Sequence, residues 1–172
     1  MAKFDPSNAI QDFLVFGEFG DVNPSITDSS TFTFMSPDRM EELFEHEIEG
    51  CFLYSRHWNP TNKFLSDALA RMEGSESAQA KASGMAAISS TILQLCDGGD
   101  EVISSRTIYG GTYAFFKNFA PRFGVNVHFC DLSELDGVRS LITDRTRVIY
   151  CESVSNPLLE VAVVNGRKIL NG

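Results

Sequence analysis

Positive charge is scarce in this chain. Fourteen Lys plus Arg stand against 23 Asp plus Glu, leaving a net charge of −9 over 172 residues. A general nucleic-acid surface needs clustered cations, so that class of partner is excluded. A few local N–H groups and arginines can still capture a small anion. Apolar runs of membrane-spanning length are missing, as is a basic-plus-apolar leader, which argues against a membrane partner. Cysteine is sparse and dispersed: Cys51, Cys96, Cys130 and Cys151 form no C-x-x-C pair, and no histidine stands at metal-ligand spacing. A disulfide framework and a metal centre are both excluded on that pattern, and the thiols read as buried in a reducing, cytoplasmic setting. What is present is ordinary for a globular protein, 43% hydrophobic and 22% charged residues. The length suits one domain with a real core, or part of a larger one.

The most informative stretch is Ala78-Gln79-Ala80-Lys81-Ala82-Ser83-Gly84-Met85-Ala86-Ala87-Ile88. A small-residue run, read as a strand, turns at Ser83-Gly84 into a pattern with Met85, Ile88, Ile92 and Leu95 on one helical face. The first N–H groups of such a helix have no internal acceptor, and they sit at the positive end of its dipole. That arrangement can seat a phosphate. By itself, Ser-Gly reads better as a plain strand-to-helix turn with no ligand, and only the residues elsewhere that would complete a phosphorylated-cofactor site shift that reading.

Elsewhere the chain shows further elements. Residues 1–30 carry no strong period, although Phe4, Phe13, Leu14, Phe16 and Phe19 recur there, as in an arm lying along another surface. Ser36-Pro37 opens a helix with Met40, Leu43, Phe44 and Ile48 on its apolar face, stopped by Gly50. Thr61 is expected to cap a second helix, ending at Gly74. Strands follow at Glu101-Val102-Ile103, at Val125 to Phe129 and, as a buried type, at Arg147 to Cys151. Helices fall between them. One runs from Gly110 to Phe119 and breaks at Pro121, and one follows the capping-box spacing of Ser133 and Asp136. Strands alternating with helices specify an α/β layered fold with a mostly parallel sheet.

In such folds ligands gather where strands end and helices begin. Candidates there are Ser83, Gly84 and Met85, then Tyr109 beside Gly110-Gly111-Thr112, and the segment from Glu152 through Asn156 to Pro157. The loop Tyr54-Ser55-Arg56 adds a phenol and a planar cationic fork suited to phosphate or carboxylate. Each has a plainer reading: Arg56 as a surface ion-pair partner, Tyr54 and Tyr109 as packing aromatics, and Asn156 as a turn former.

Taken together, Tyr54-Ser55-Arg56 with Asn59-Pro60-Thr61, Ala82 to Ile88, Tyr109-Gly110-Gly111-Thr112 and Glu152 to Pro157 resemble successive motifs of the Cys/Met-metabolism family of pyridoxal-phosphate enzymes. That family includes methionine γ-lyase, cystathionine γ-synthase, cystathionine lyases and O-acetylhomoserine sulfhydrylase. The resemblance spans Asn23 to Val161. It implies part of an aspartate-aminotransferase-like (fold type I) large domain, a partial three-layer sandwich, and a homotetramer assembled as a dimer of dimers. It also implies an amino-acid substrate and pyridoxal 5'-phosphate as cofactor. Carried over, Gly84 and Met85, next to Ser83, hold the cofactor phosphate, and Tyr54 and Arg56 reach the phosphate of a neighbouring subunit. Tyr109 stacks on the pyridine ring and assists proton transfer or leaving-group departure, Asn156 bonds the phenolic oxygen, and Glu152 supports the site.

The sequence departs from the family after Val161. None of Lys3, Lys63, Lys81, Lys117 and Lys168 stands in the family's Schiff-base motif. The expected organisation is an arm and first helix over 1–50, part of the cofactor domain over 51–161, and a family-unlike tail over 162–172. Two functions follow: an N-terminal portion of a lyase or transferase acting on methionine, cystathionine or O-acyl-homoserine, inactive alone and binding cofactor weakly or not at all, or a non-catalytic remnant that associates with itself or a full-length relative. Gly111, where some methionine-cleaving members carry cysteine, leans the chemistry toward γ-replacement or cystathionine. A monomer is expected to leave Phe13, Phe16 and Phe19 exposed.

Overall fold

In the computed structural model, described residues are 4–17, 19–33, 36–45, 48, 50–161, 163–164 and 167–168. The chain divides into two compact units, Met1–Ala80 and Lys81–Gly172. In the second, β1 (Glu101–Ser105), β2 (Asn126–Cys130) and β3 (Thr146–Tyr150) form a parallel sheet in the order β2-β1-β3. Val102 lies opposite Val127 on one side and Val148 on the other, with an irregularity in the β1–β3 register between Glu101 and Val102. Val102 and Ile103, successive residues of the central strand, are both 0% exposed, as befits a parallel strand covered on both faces. The core gathers Val102 and Val125 with Ile92 of α4 (Gly84–Leu95), Cys96, Ile108, Phe115, Phe116 and Ala120.

The helix expected from Gly110 is more varied than its pattern suggests. α5 (Gly110–Ala114) widens into a π-turn over Phe115–Phe119, then tightens to a 3-10 turn over Ala120–Phe123. The wider turn places the adjacent Phe115 and Phe116 in one core. Pro121 starts the last turn rather than breaking the helix, since no donor is needed there. Gly124 closes it at φ 79°, a conformation that favours glycine, and a Cβ there would crowd Gly98 Cα at 3.0 Å.

Two other expectations need correction here. β3 is not fully buried: it alternates, with Ile149 51% exposed, because one of its two faces is left uncovered among the described residues. The capping box before α6 (Leu135–Leu141) does not form, because the Ser133 hydroxyl and N–H both bond the Asp131 carboxylate, at 2.6 and 3.0 Å. After β3, Val154 bridges Val161, and a short antiparallel pair joins β4 (Val163–Val164) to β5 (Arg167–Lys168).

In the first unit the unpatterned arm holds a short helix, α1 (Pro6–Gln11), capped by Asp5 Oδ1 accepting from the Ser7 N–H at 2.9 Å. α2 (Asp38–Glu45) buries Leu43 but leaves Phe44 exposed, and part of its expected run to Gly50 lies outside the described residues. α3 (Pro60–Glu73) begins before Thr61: Asn59 is the cap, accepting from the Thr61 N–H at 2.9 Å, with proline at the first helical position. The Thr61 hydroxyl instead accepts from the Thr27 N–H at 2.9 Å. The run 78–82 is not a strand. Its Ala80 N–H donates at 3.0 Å to the buried Ser66 hydroxyl, and among the described residues the run joins neither sheet. Phe13, expected to be exposed, stacks on Phe64 at 5.2 Å between ring centroids beneath the Arg71 guanidinium.

Candidate functional site

The start of α4 has the expected geometry. Ser83 is extended, and its hydroxyl accepts from the Ala86 N–H at 3.1 Å while its carbonyl accepts from the Ala87 N–H at 3.0 Å. The N–H groups of Gly84 and Met85 precede these and have no acceptor within the helix. A Cβ at Gly84 would meet nothing within 4 Å, so open space lies beside that turn. Two free donors, the positive helix end and open space fit a phosphate. The Met85 side chain points the other way, into the core.

Tyr109 precedes α5 and is 49% exposed. Its N–H donates to Glu152 Oε1 at 3.0 Å, so the carboxylate just beyond β3 holds the start of α5. Sequence reasoning did not single out Tyr150. Burial pushes the pKa of its hydroxyl up, with the Thr112 and Glu152 side chains acting on the same group. Thr112, fully buried, in turn sets Oγ1 3.9 Å from Met85 Sδ. The Thr112–Met85 contact thus ties α5 to the α4 turn, and the Tyr109–Glu152 bond ties the start of α5 to the end of β3. Thr112 was readable as part of the Tyr109-Gly110-Gly111-Thr112 motif, whereas Tyr150 had no local signal beyond strand alternation. Burial, and then the Glu152 charge, push the neighbouring Cys151 thiol up as well, away from thiolate chemistry.

A crevice of about 320 Å³ opens at the carboxyl ends of the strands, lined by Arg106, Asp131, Ser133, Glu152 and Ser155 among others. Hydrogen bonds from Ser133, and then the Arg106 guanidinium at 3.0 Å, hold the Asp131 carboxyl below its usual range. Of the candidate residues, only Glu152 lines this crevice. Asn156 is exposed beside a cis Asn156–Pro157 bond, and no hydrogen bond joins it to Tyr109 or Glu152. Ser155 shapes that loop, its buried hydroxyl accepting from the Glu160 N–H at 3.0 Å.

Within the first unit, Tyr54 and Arg56 lie side by side. Arg56 Nη2 donates to the Tyr54 hydroxyl at 3.2 Å, and the guanidinium sits 4.9 Å from the ring centroid. Asn59 steadies the loop, donating to Ser55 Oγ at 2.8 Å and to the Thr27 carbonyl at 3.2 Å. An exposed guanidinium beside a phenol suits an anion.

A parallel α/β sheet, an anion seat at a helix start and a tyrosine at the next helix start describe a class of enzymes built around a phosphorylated cofactor. Residues 12–167 match the model of the Cys/Met metabolism PLP-dependent enzymes, and the chain belongs to that family. The match extends past both ends of the stretch 23–161 on which the resemblance rested. A methionine gamma-lyase of Arabidopsis thaliana is 44% identical over 164 residues, 92% of this chain and 37% of the relative. An L-methionine gamma-lyase of Pseudomonas putida is 40% identical over 147 residues, 86% of this chain and 37% of the relative. A solved O-acetylhomoserine (thiol)-lyase of Campylobacter jejuni superposes with a TM-score of 0.86 at 30% identity, covering 93% of this chain and 39% of that one. That structure contains N'-pyridoxyl-lysine-5'-monophosphate. The chain therefore has the α/β architecture of fold type I pyridoxal-phosphate enzymes and spans a little over a third of the length of the relatives it matches.

Proposed function

We propose that this chain is the N-terminal part of a pyridoxal-phosphate-dependent lyase or transferase of sulfur amino acid metabolism, cytoplasmic, acting by γ-elimination or γ-replacement. The observation that carries the reading is the α4 turn, where Ser83, Gly84 and Met85 offer free donors to open space within a chain of this family. These residues hold the cofactor phosphate. Pyridoxal phosphate supplies the electron sink when bound. Tyr109 presents its ring to the flat cofactor and its hydroxyl to proton transfer, while Glu152 fixes the tyrosine backbone. Asn156 offers an amide to the phenolic oxygen, and Tyr54 with Arg56 serve the phosphate of a neighbouring subunit. None of the five lysines occupies the family's attachment motif, so the chain alone binds the cofactor weakly, without a covalent link, and turns nothing over.

Absorbance titration with pyridoxal phosphate, followed by borohydride reduction and peptide mapping, tests this. Saturable binding is expected, competed by inorganic phosphate, with no lysine labelled. Gly84→Val fills the open space and weakens binding about tenfold or more, the worth of charge-assisted hydrogen bonds. Binding untouched by Gly84→Val would overturn the phosphate seat, and labelling traced to Lys168 would overturn the account of the lysines.

A second reading, a non-catalytic self-associating remnant, is favoured by the uncovered side chains of the arm: Phe19 is 88% and Ile26 87% exposed. Sedimentation at low micromolar concentration separates the two. A dimer or larger that binds no cofactor supports the remnant, and a monomer that binds pyridoxal phosphate rejects it.

A further inference from the structure

Two turns must stand in a fixed relation if one ligand is to use both. The first turn of α4 offers the Gly84 and Met85 N–H groups, and α5 begins just after Tyr109. Thr112 is where the two elements meet. It is 0% exposed, and its hydroxyl lies 3.9 Å from Met85 Sδ. On its own side it shares a turn with Tyr109, closed by the Tyr113 N–H donating to the Tyr109 carbonyl at 2.9 Å. Phe115 and Phe116, just beyond, are buried in the core and anchor that turn.

On the other side, the Met85 side chain packs against the same core, while its N–H is one of the two donors at the anion seat. A thioether chain has three rotatable bonds and fits many gaps, so shape alone does not settle its place. A buried hydroxyl is more demanding, since it costs free energy unless it reaches an acceptor. We propose that Thr112 is a positioning residue: through Met85 its hydroxyl fixes the α4 turn against the start of α5, and so sets the offset between the anion seat and the Tyr109 ring. A ligand carrying both a phosphate and a flat ring senses that offset, whereas inorganic phosphate needs only the seat. The consequence for the cofactor rests on the functional reading above; the coupling of the two turns does not.

The two parts are tested separately. Thr112→Val keeps the side-chain volume and removes the hydroxyl, whereas Thr112→Ser keeps the hydroxyl and leaves a gap of one methyl. In NMR spectra of the cofactor-free chain, the Met85 methyl and the Gly84 and Met85 amide resonances should move in Thr112→Val and stay near their places in Thr112→Ser. A role in packing alone predicts the reverse order. Titration with pyridoxal phosphate and with inorganic phosphate then reads the consequence. Thr112→Val should weaken pyridoxal phosphate about 2- to 12-fold, the worth of one aromatic stack, and leave inorganic phosphate unchanged. Thr112→Ser should hold the wild-type affinity. Met85→Leu, which conserves volume, withdraws the acceptor from the other side; it should weaken pyridoxal phosphate by the same factor, and Thr112→Val should add nothing on that background. Should Thr112→Val fold poorly, Met85→Leu and Thr112→Ser carry the comparison. Equal or larger resonance movement in Thr112→Ser, or inorganic phosphate weakened as much as pyridoxal phosphate, overturns the proposal. Failure of every form to bind pyridoxal phosphate rejects the cofactor reading, while the Gly84 and Met85 resonances still decide the role of Thr112.

Discussion

The two units spend their apolar residues differently. In residues 81–172, Val102, Ile103, Phe116 and Val125 converge from strands and helices and are almost wholly removed from water. In residues 1–80, the buried apolar side chains among the described residues are Leu43, Ala68 and Ala70, while Phe16, Phe19, Val22 and Ile26 face solvent. Polar groups take over part of the work there. Asn59 and Ser66 are buried and tie Thr27, Ser55, Thr61 and Ala80 to α3. Phenylalanine content therefore says little about a core; a sheet on which side chains can converge says more.

The sharpest break of this contrast is a pair of truncations. Phe116→Ala should cost about 3–5 kcal/mol in urea unfolding, whereas Phe16→Ala should stay within about 0.5 kcal/mol. Equal costs would erase the distinction between the units. Next comes Asn59→Ala, which removes a helix cap worth about 1 kcal/mol together with two bonds to the arm and loop. Hydrogen exchange should quicken at Thr61 and nearby while β1 stays protected. Acceleration at β1 of the same size would show that the two units do not open separately.

The smallest effect depends on pH. The Asp97 backbone N–H at 2.9 Å, then the Arg147 guanidinium at 3.3 Å, hold the buried Asp100 carboxyl below its ordinary 3.8. A depressed folded pKa stabilises the native state above the unfolded value, and this is lost as pH falls through the folded one. Asp100→Asn should therefore be less stable than wild type at pH 7, with the gap closing below about pH 4. A gap that persisted unchanged to pH 2 would exclude the carboxylate charge as its source.

What could be read from the chain beforehand was mostly local. The α4 turn was legible because Ser83-Gly84 directly precedes a helical apolar period, and β1 and β2 because short apolar runs follow turns. Errors arose where a group chose a partner out of sight of its own segment. Ser133 reads as a cap but bonds Asp131, Thr61 yields the cap to Asn59, and residues 78–82 join neither sheet among the described residues. The site divides the same way. Ser83, Gly84 and Tyr109 announce themselves by turn chemistry. The bond from Tyr109 to Glu152 crosses 43 positions, and Tyr150 joins it only because β3 returns beside β1.

That return also sets a clock. Strand β1 is paired along both edges, so its amides are released only when β2 or β3 departs, and each departure uncovers Val102 and Ile103. No small fluctuation can expose them, and their exchange must wait for the whole sheet to part. The slowest-exchanging protons of β1 thus time the lifetime of the sheet, and any ligand seated at the α4 turn would lengthen that lifetime in proportion to how tightly it binds.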